Sequence, residues 1–283
     1  MYTTQQFSLH THTTGFDGGN SAAEMVQQAK DMGWHSLGIS NHFIVHPAIK
    51  SSRMYKYAAA GGYANIYSES FDEAINKFLP HYNELRDLRD SMHFNLYIGM
   101  EVDFLNDPMW RRGFDRAIKI LKPDYLIGSA HFVWHDNNLC NSHDIKNMDK
   151  PTQNLVLEKY WKNVQGAAQS GLFNWLAHLD LMKKVGLGRE DMWQDIEKET
   201  VSIIASSGSA IEINTGLYKP NLYEPYPSER ILNMVSRTNI PVLLSDDAHS
   251  ANQLGRHFDE ASELLEIYFI KNILTAHGAV NRR

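Results

Sequence analysis

The sequence predicts an α/β fold in which short buried strands alternate with amphipathic helices around a parallel sheet or barrel. Three observations support this prediction. Seven short apolar runs recur along 283 residues, several longer segments between them are apolar at positions i, i+3 and i+4, and 43% of the residues are hydrophobic, which is enough for a substantial core. Because α/β barrels of this length commonly form one unit, we expect a single domain spanning residues 1–283.

The predicted strands and helices alternate in a regular order. The predicted strands are residues 7–12, 36–42, 96–101, 125–131, 174–178, 210–214 and 242–247. Ser21 followed by Glu24 matches a capping box that starts the first helix, and Gly33 marks its end. Further helices are predicted at about residues 109–121, 155–170, 192–207, 228–238 and 258–270.

Two connections are longer than a simple barrel needs. Residues 43–95 hold a polar, glycine-containing stretch and then one or two helices, with an interruption predicted near Pro80. Residues 132–153 are rich in Asn, Asp and His. Since long loops on the C-terminal side of barrel strands commonly carry lids and substrate contacts, we expect both insertions to form active-site loops.

Charge and cysteine content narrow the class of function. The net charge of −6 and the lack of a basic, aromatic-interleaved stretch argue against nucleic acid or an anionic membrane as partner. Cys140 is the single cysteine, which excludes an internal disulfide and a cysteine-based zinc site. No leader segment or membrane-length apolar run is visible. We expect a cytoplasmic protein that binds a small molecule, with homo-oligomerisation left open.

Residues able to ligate a metal end six of the seven predicted strands. His10 and His12 are two positions apart, so on a strand both imidazoles project from the same face. Alone, this pair is a weak signal, because two half-exposed strand histidines are at least as common. The later strand ends carry His42, Glu101, His131, His178, Asp247 and His249.

The joint arrangement favours a metal site over a set of unrelated structural residues. In a barrel the C-terminal ends of the strands converge on one mouth, where these residues would meet. Buried imidazoles and carboxylates are costly unless they are paired or bound to metal, and this ligand set suits Zn, Mn or Fe. We therefore predict a polynuclear site. Asp17, in the first βα loop, is either a further ligand or a turn-forming Asp before glycine, and the local sequence does not decide between the two.

This set of residues resembles the polymerase and histidinol phosphatase (PHP) family. The matching residues are His10, His12, Asp17, His42, Glu101, His131, His178, Asp247 and His249. The resemblance implies a distorted TIM-like (β/α)7 barrel with these nine residues as ligands of two or three divalent ions, Zn, Mn or Fe, at the C-terminal ends of the strands. Ser8 departs from the family pattern, which often has Asp at that position.

Other segments are similar to the histidinol-phosphate phosphatase branch of that family. They are residues 97–103, 127–132, 212–220 and 226–228. This similarity implies hydrolysis of L-histidinol phosphate to histidinol and phosphate, a step of histidine biosynthesis. Tyr218 departs from the branch, which commonly has a basic residue there. The alternatives are a PHP-family phosphatase acting on phosphotyrosine or on a nucleotide phosphoester, and a non-catalytic metal-binding module.

Position along the chain gives several candidates for the residues that act on the substrate, and the choice among them stays open. Phosphomonoester hydrolysis at a metal centre needs no protein nucleophile, but the leaving alkoxide needs a proton donor. The candidate donors are Asp247, His249, His135 and His143. The candidate phosphate or substrate contacts are Lys219, Arg256, Asn214, His135 and Arg53. Taken singly, each of the three basic residues Lys219, Arg256 and Arg53 is more simply interpreted as a solvated surface charge, and Asn214 as a turn cap.

Overall fold

The computed structural model describes residues 5–105, 108–217 and 224–282. The strands are β1 (Phe7–Ser8), β2 (Ser36–Ile39), β3 (His42–Val45), β4 (Tyr67–Ser68), β5 (Asn95–Asp103), β6 (Tyr125–Ser129), β7 (Val133–His135), β8 (Asn138–Cys140), β9 (Trp175–Leu176), β10 (Ala210–Asn214) and β11 (Val242–Ser245). The α-helices are α1 (Ala22–Asp31), α2 (Arg53–Gly61), α3 (Phe71–Met92), α4 (Pro108–Leu121), α5 (Ser142–Lys146), α6 (Lys150–Gln169), α7 (Gln194–Ser207), α8 (Glu229–Val235), α9 (Phe258–Ile267) and α10 (Ala276–Val280).

Seven parallel strands form a nearly closed barrel in the order β1, β2, β5, β6, β9, β10 and β11. The chain just beyond β1 meets the chain just beyond β11 through a parallel bridge between Thr11 and Ala248. In this bridge the amide of His12 donates to the carbonyl of Ala248 at 2.8 Å, and the amide of Ala248 donates to the carbonyl of His10 at 3.3 Å. The predicted α/β barrel of seven parallel strands is therefore confirmed.

β2 and β3 are two parts of one barrel strand. Ile39 pairs with Ile98 and His42 pairs with Glu101, so both parts keep the same register on β5. The chain leaves the ladder only between them, at Ser40 and Asn41. β3 also pairs with β4, which belongs to the first long insertion. This pairing fastens the insertion beside the C-terminal mouth of the barrel.

The predicted helices are present, with shifted ends. The capping box of α1 is confirmed, because the Ser21 hydroxyl accepts from the Glu24 amide and the Glu24 carboxylate accepts from the Ser21 amide. Gly33 follows α1 in the left-handed conformation, at φ 75°. α6 begins five residues earlier than predicted because Asp149 caps it and a proline fits its first turn. α8 and α9 end three residues earlier than predicted, at Val235 and Ile267.

The predicted interruption near Pro80 is wrong. α3 runs unbroken from Phe71 to Met92 with Pro80 inside it. The proline removes the hydrogen bond to the carbonyl of Asn76, but both residues lie on the exposed side of the helix, where water can replace the missing donor. Phe78 and Tyr82 bury the opposite side and hold the helix against the barrel.

Most barrel strands are shorter than predicted, and most of the predicted ligands lie just beyond their ends. β6 ends at Ser129, for example, and His131 follows two residues later. There the His131 amide donates to the side chain of Asp103, at 2.5 Å, instead of to a strand backbone. The chain therefore leaves the ladder where the site residues begin, which frees their backbone to turn the side chains toward one another.

A small apolar cluster separate from the main core packs around Tyr125 and Trp175, whose rings stack at 5.1 Å. It lies inside the barrel, since Gly99 shares the inner face of β5 with Glu101, two residues on. A side chain at Gly99 would collide with the Tyr125 ring, so the glycine makes room for it. α10 adds Ala276, Ala279 and Val280 to this cluster. In the described part of the chain, no helix is both long and apolar enough to cross a membrane.

Candidate metal centre

The nine residues singled out in the sequence lie in one cluster at the C-terminal mouth of the barrel. Their donor atoms form four overlapping groups, and within each group the atoms lie within 4.8 Å of one another. The groups are His12, Asp17, His42 and His249; His10, His12 and Asp247; His10, Glu101 and His178; and His42, Glu101 and His131. Shared members join the four groups into one continuous centre.

Glu101 lies in the middle of the centre and is fully buried. Its Oε2 atom lies 2.6 Å from Nδ1 of His42 and 3.3 Å from Nε2 of His10. Its Oε1 atom lies 3.0 Å from Nε2 of His178 and 3.3 Å from Nε2 of His131. A carboxylate with imidazole nitrogens around both oxygens is placed so that it can serve two cations.

Asp17 belongs to this cluster and not merely to a turn. Its carboxylate lies 3.2 Å from Nε2 of His42, 3.3 Å from Nε2 of His249 and 3.5 Å from Nδ1 of His12. The loop reaches this position because the next residue is Gly18, where a Cβ atom would lie 2.5 Å from the backbone of His12. The glycine is therefore needed for the close approach that brings Asp17 to the histidines.

Asp247 and His249 follow β11, whose end lies beside the segment that carries His10 and His12. Oδ1 of Asp247 lies 3.1 Å from Nε2 of His12 and 3.6 Å from Nε2 of His10. Asp247 has left-handed backbone, with φ 48°, which is uncommon for a residue other than glycine. The His249 ring stacks on His12 at 4.2 Å, and its Nδ1 lies 2.9 Å from the Asp247 carbonyl. The bridge at Ala248 thus holds both side chains over the mouth.

The carboxylates and imidazoles of the centre shift one another's pKa values. Burial alone would lower the pKa of His10, but Glu212, Asp247 and Glu101 outweigh burial and hold that pKa well above its ordinary value. Burial alone would raise the pKa of Glu101, but His42, His10 and His131 hold it well below its ordinary value. Opposing charge is therefore what stabilises the buried carboxylates, and divalent cations provide the same kind of compensation.

Two buried carboxylates contact the Nδ1 atoms of histidines whose Nε2 atoms face the centre. The Glu212 carboxylate lies 3.0 Å from Nδ1 of His10, and Oδ1 of Asp103 lies 3.4 Å from Nδ1 of His131. The sequence interpretation assigned neither residue a role. Strand alternation is the signal that could have found them, because Asp103 shares the inner face of β5 with Glu101, and Glu212 shares that of β10 with Asn214.

A cleft of about 310 Å³ opens directly onto the centre. The first insertion contributes apolar and aromatic walls, including Met54, Tyr63 and Tyr67, and the second insertion contributes His143. Lys184 lines this cleft and also an adjoining one of about 270 Å³, which contains Arg256. Sequence interpretation missed Lys184, although its position six residues after His178 put it near the mouth.

A larger, mainly apolar cavity of about 850 Å³ lies near Trp110 and Trp134. Within the described residues, none of the nine clustered side chains lines it. We therefore place the site in the smaller cleft, where the ionisable groups converge.

The residues predicted to contact substrate differ in whether they reach the cleft. Arg256 lies beside Asp247 and donates to the backbone carbonyls of Asp246 and Asp247. Asn214 is fully buried and its amide donates to Glu212 and Asp247, so it orients carboxylates and does not face the cleft. A contact between Asn214 and substrate stays a prediction.

Three further residues are predicted to contact substrate. Two of them lie outside the cleft lining, and the third lies outside the described residues. His135 lies on the hairpin of β7 and β8, 3.3 Å from Nζ of Lys159, and does not line the cleft. Arg53 is exposed at the start of α2 and also lies outside the lining. The two insertions direct other side chains toward the centre, and substrate contacts by His135 and Arg53 stay predictions. Lys219 lies outside the described residues, as does Tyr218.

Comparison with known proteins gives consistent matches. The model of the PHP domain family matches residues 8–216. A protein of Deinococcus radiodurans named "Probable histidinol-phosphatase" is 28% identical over 166 residues, which cover 58% of this chain and 61% of that protein. The histidinol-phosphatase of Saccharomyces cerevisiae is 24% identical over 300 residues, covering 91% of this chain and 87% of the yeast protein. The match thus spans less than two thirds of the bacterial relative but most of the yeast one.

A solved structure shares the fold. It is the histidinol phosphate phosphatase of Lactococcus lactis in complex with zinc, L-histidinol and phosphate. The TM-score is 0.66 at 16% sequence identity, and the alignment covers 98% of each chain. At this identity the likeness establishes the barrel architecture over nearly the whole chain.

Proposed function

The chain belongs to the PHP domain family, and from that premise we propose that it is a metal-dependent phosphomonoesterase that hydrolyses L-histidinol phosphate to histidinol and phosphate. The observation that carries this proposal is the buried centre built from nine His, Asp and Glu side chains at the mouth of the barrel. The names of the relatives and the ligands of the Lactococcus structure support the choice of substrate.

The donor atoms of the centre fit divalent cations. Among the described residues, buried atoms of this centre lack a hydrogen-bond partner although they point at one another, and such atoms are costly unless something binds them. They are Nε2 of His10, both ring nitrogens of His12, Oδ1 of Asp17, Nδ1 of His42, Oε2 of Glu101, Nδ1 of His131 and Oδ1 of Asp247. We propose that the nine residues hold two or three ions of the Zn, Mn or Fe class.

The ions and the protein side chains have separate tasks. When bound, the cations would supply Lewis-acid activation of a water molecule and neutralise charge on the phosphoryl oxygens. Lys184 and Arg256 place positive charge at the open side of the centre, where a phosphate monoester would be held. The apolar walls from Met54, Tyr63 and Tyr67 face the same cleft and exclude water from the leaving-group side.

The proton for the leaving alkoxide comes from an imidazole in this proposal. Burial alone would raise the pKa of Asp247, but His10, His12 and His249 hold it well below its ordinary value, so this carboxyl group is ionised and has no proton to give. His249 and His143 both line the cleft, but His249 is one of the nine proposed metal ligands and its Nδ1 already lies 2.9 Å from the Asp247 carbonyl. We therefore assign the proton-donor role to His143.

The size of the cleft favours a small substrate. A volume of about 310 Å³ is at the lower end of the range for small-molecule sites. We propose that the protein acts as a single domain in the cytoplasm. A reducing compartment suits a chain whose one thiol, Cys140, is free and buried. Homo-oligomerisation stays a prediction.

The test is metal analysis followed by activity measurements. Protein purified without chelator is expected to contain at least two equivalents of Zn, Mn or Fe and to release phosphate from histidinol phosphate faster than from p-nitrophenyl phosphate. Protein without bound metal would refute the proposal. Bound metal without phosphate release would favour the non-catalytic module. Faster release from phosphotyrosine or from a nucleotide ester would retain the mechanism and replace the substrate.

A further inference from the structure

Glu212 on β10 is a fully buried carboxylate directly behind His10. Its two oxygens lie 3.1 and 3.0 Å from Nδ1 of the His10 ring. The other ring nitrogen, Nε2, faces the centre, 3.3 Å from Glu101 and 3.6 Å from Asp247. Nδ1 of His10 therefore contacts Glu212, and Nε2 faces the candidate metal centre.

Three further hydrogen-bond donors fix the Glu212 carboxylate. Its Oε2 atom accepts from Nε1 of Trp175 at 3.1 Å. Its Oε1 atom accepts from the backbone amide of His178 at 3.2 Å and from the side-chain amide of Asn214 at 2.8 Å. Indole and peptide N–H groups donate and do not accept, so this environment matches an ionised carboxylate. Such a carboxylate can only accept, and His10 must therefore donate from Nδ1.

We propose that Glu212 is a positioning residue that holds His10 as its Nδ1–H tautomer and thereby presents the Nε2 lone pair to a divalent cation. This inference rests on the metal centre of the proposed function. A carboxylate behind a ligating imidazole fixes the orientation of the ring and increases its basicity, and loss of such a partner typically costs about 10- to 100-fold in metal affinity. Through the amide of His178, the same carboxylate also anchors the segment that carries a second candidate ligand.

Zinc affinity measured on metal-free protein, in competition with a chromophoric chelator, tests this role directly. The variant is Glu212→Gln, which keeps the size of the side chain but places an NH₂ group opposite at least one donor. We expect the affinity of at least one zinc site to fall about 10- to 100-fold. The metal-free variant should still unfold in one cooperative transition, which shows that it is folded, although an unpaired buried donor lowers its unfolding temperature. Unchanged zinc affinity in the folded variant would overturn the proposal.

Trp175→Phe is the matched control, because it removes a different donor from the same carboxylate and leaves the contact with His10. We expect its zinc affinity to equal that of the unmodified protein. A loss as large as that of Glu212→Gln would also overturn the proposal, since the carboxylate would then act by packing the barrel interior.

Nuclear magnetic resonance of the unsubstituted protein keeps the proposal testable even if Glu212→Gln does not fold. In zinc-loaded protein labelled with ¹⁵N-histidine, the His10 ring should carry its proton on Nδ1. A proton on Nε2, or zinc bound at Nδ1, would refute the assignment. Neither measurement uses an ester. Zinc affinity that depends on Glu212 without phosphate release would therefore reject only the proposed function, and phosphate release with Glu212-independent zinc affinity would reject only this inference.

Discussion

His42 and Glu101 pair across the neighbouring strands β3 and β5, and Nδ1 of His42 lies 2.6 Å from Oε2 of Glu101. This contact joins the two sides of the candidate metal centre. Glu101 also contacts His10 and His178, whereas His42 also contacts Asp17. The strand register therefore sets the spacing between groups that come from distant parts of the chain.

Substitution of Glu101 is expected to disable the whole centre. Glu101→Gln removes the negative charge between the imidazoles, and the electrostatic contribution of bound metal to such reactions is worth several kcal/mol. We expect kcat/KM for histidinol phosphate to fall by about 100-fold or more, together with loss of bound metal. Steady-state kinetics and elemental analysis measure both effects. Glu199→Gln, in an exposed ion pair with Lys162, is the matched control and should retain both. Full activity of Glu101→Gln would contradict the assignment.

Lys184 is expected to act on substrate binding. Lys184→Ala removes a positive charge at the open side of the centre, and a charge-assisted hydrogen bond contributes about 1.5–3 kcal/mol. KM for histidinol phosphate should therefore rise by about 10-fold or more, with a smaller change in kcat. Lys184→Arg should restore most of the lost affinity. Lys146→Ala, at an exposed lysine of α5, serves as control. An unchanged KM in Lys184→Ala would exclude Lys184 as a phosphate contact.

Chelation should destabilise the protein as well as inactivate it. Cations that bind the folded chain stabilise it by about 2.7 kcal/mol when the free concentration is 100 times Kd. We expect a chelator to lower the unfolding temperature and abolish phosphate release, and added Zn²⁺ or Mn²⁺ to restore both. Differential scanning calorimetry and a phosphate assay follow the two effects. Chelated, metal-free protein that retained its activity would remove the metal requirement.

His81 should make stability depend on pH. Burial lowers the pKa of His81 to about 4, and its Nε2 lies 2.9 Å from the amide of Asn41. Between about pH 4 and pH 6.5 the unfolded chain therefore binds one proton more than the folded chain at this residue. The contribution of neutral His81 to the free energy of unfolding is complete above about pH 6.5 and is lost as the pH falls toward about 4.

The His81→Gln variant tests that dependence, because it keeps an acceptor for Asn41 but cannot be protonated. We expect its unfolding temperature to fall less steeply than that of the unmodified protein as the pH is lowered from about 7 to about 4.5. Circular dichroism melts at several pH values provide the comparison. Parallel curves for the two proteins would show that His81 does not contribute.

The barrel and the cluster could be predicted because their signals are local. Apolar periodicity marks each strand, and side chains at the C-terminal ends of parallel strands must converge. Strand alternation could have placed Glu212 inside the barrel, but its role could not be predicted, because that role depends on β9 lying beside β10 and on a nitrogen of His10, two hundred residues away. The prediction of an interruption at Pro80 is wrong for a related reason. Only the packing of α3 shows that the backbone carbonyl left without a donor faces water.

Ser8 and Asp246 are hydrogen bonded at 2.7 Å although they are 238 residues apart in the chain. This contact lies beside the bridge that joins Thr11 to Ala248. During synthesis on the ribosome, the segment that carries His10 and His12 can therefore complete its contacts only after the last barrel strand has emerged. Contacts of such long range form late and slowly. An unfinished chain would thus hold an open sheet edge and an incomplete set of ligands, so metal capture would mark the completion of folding.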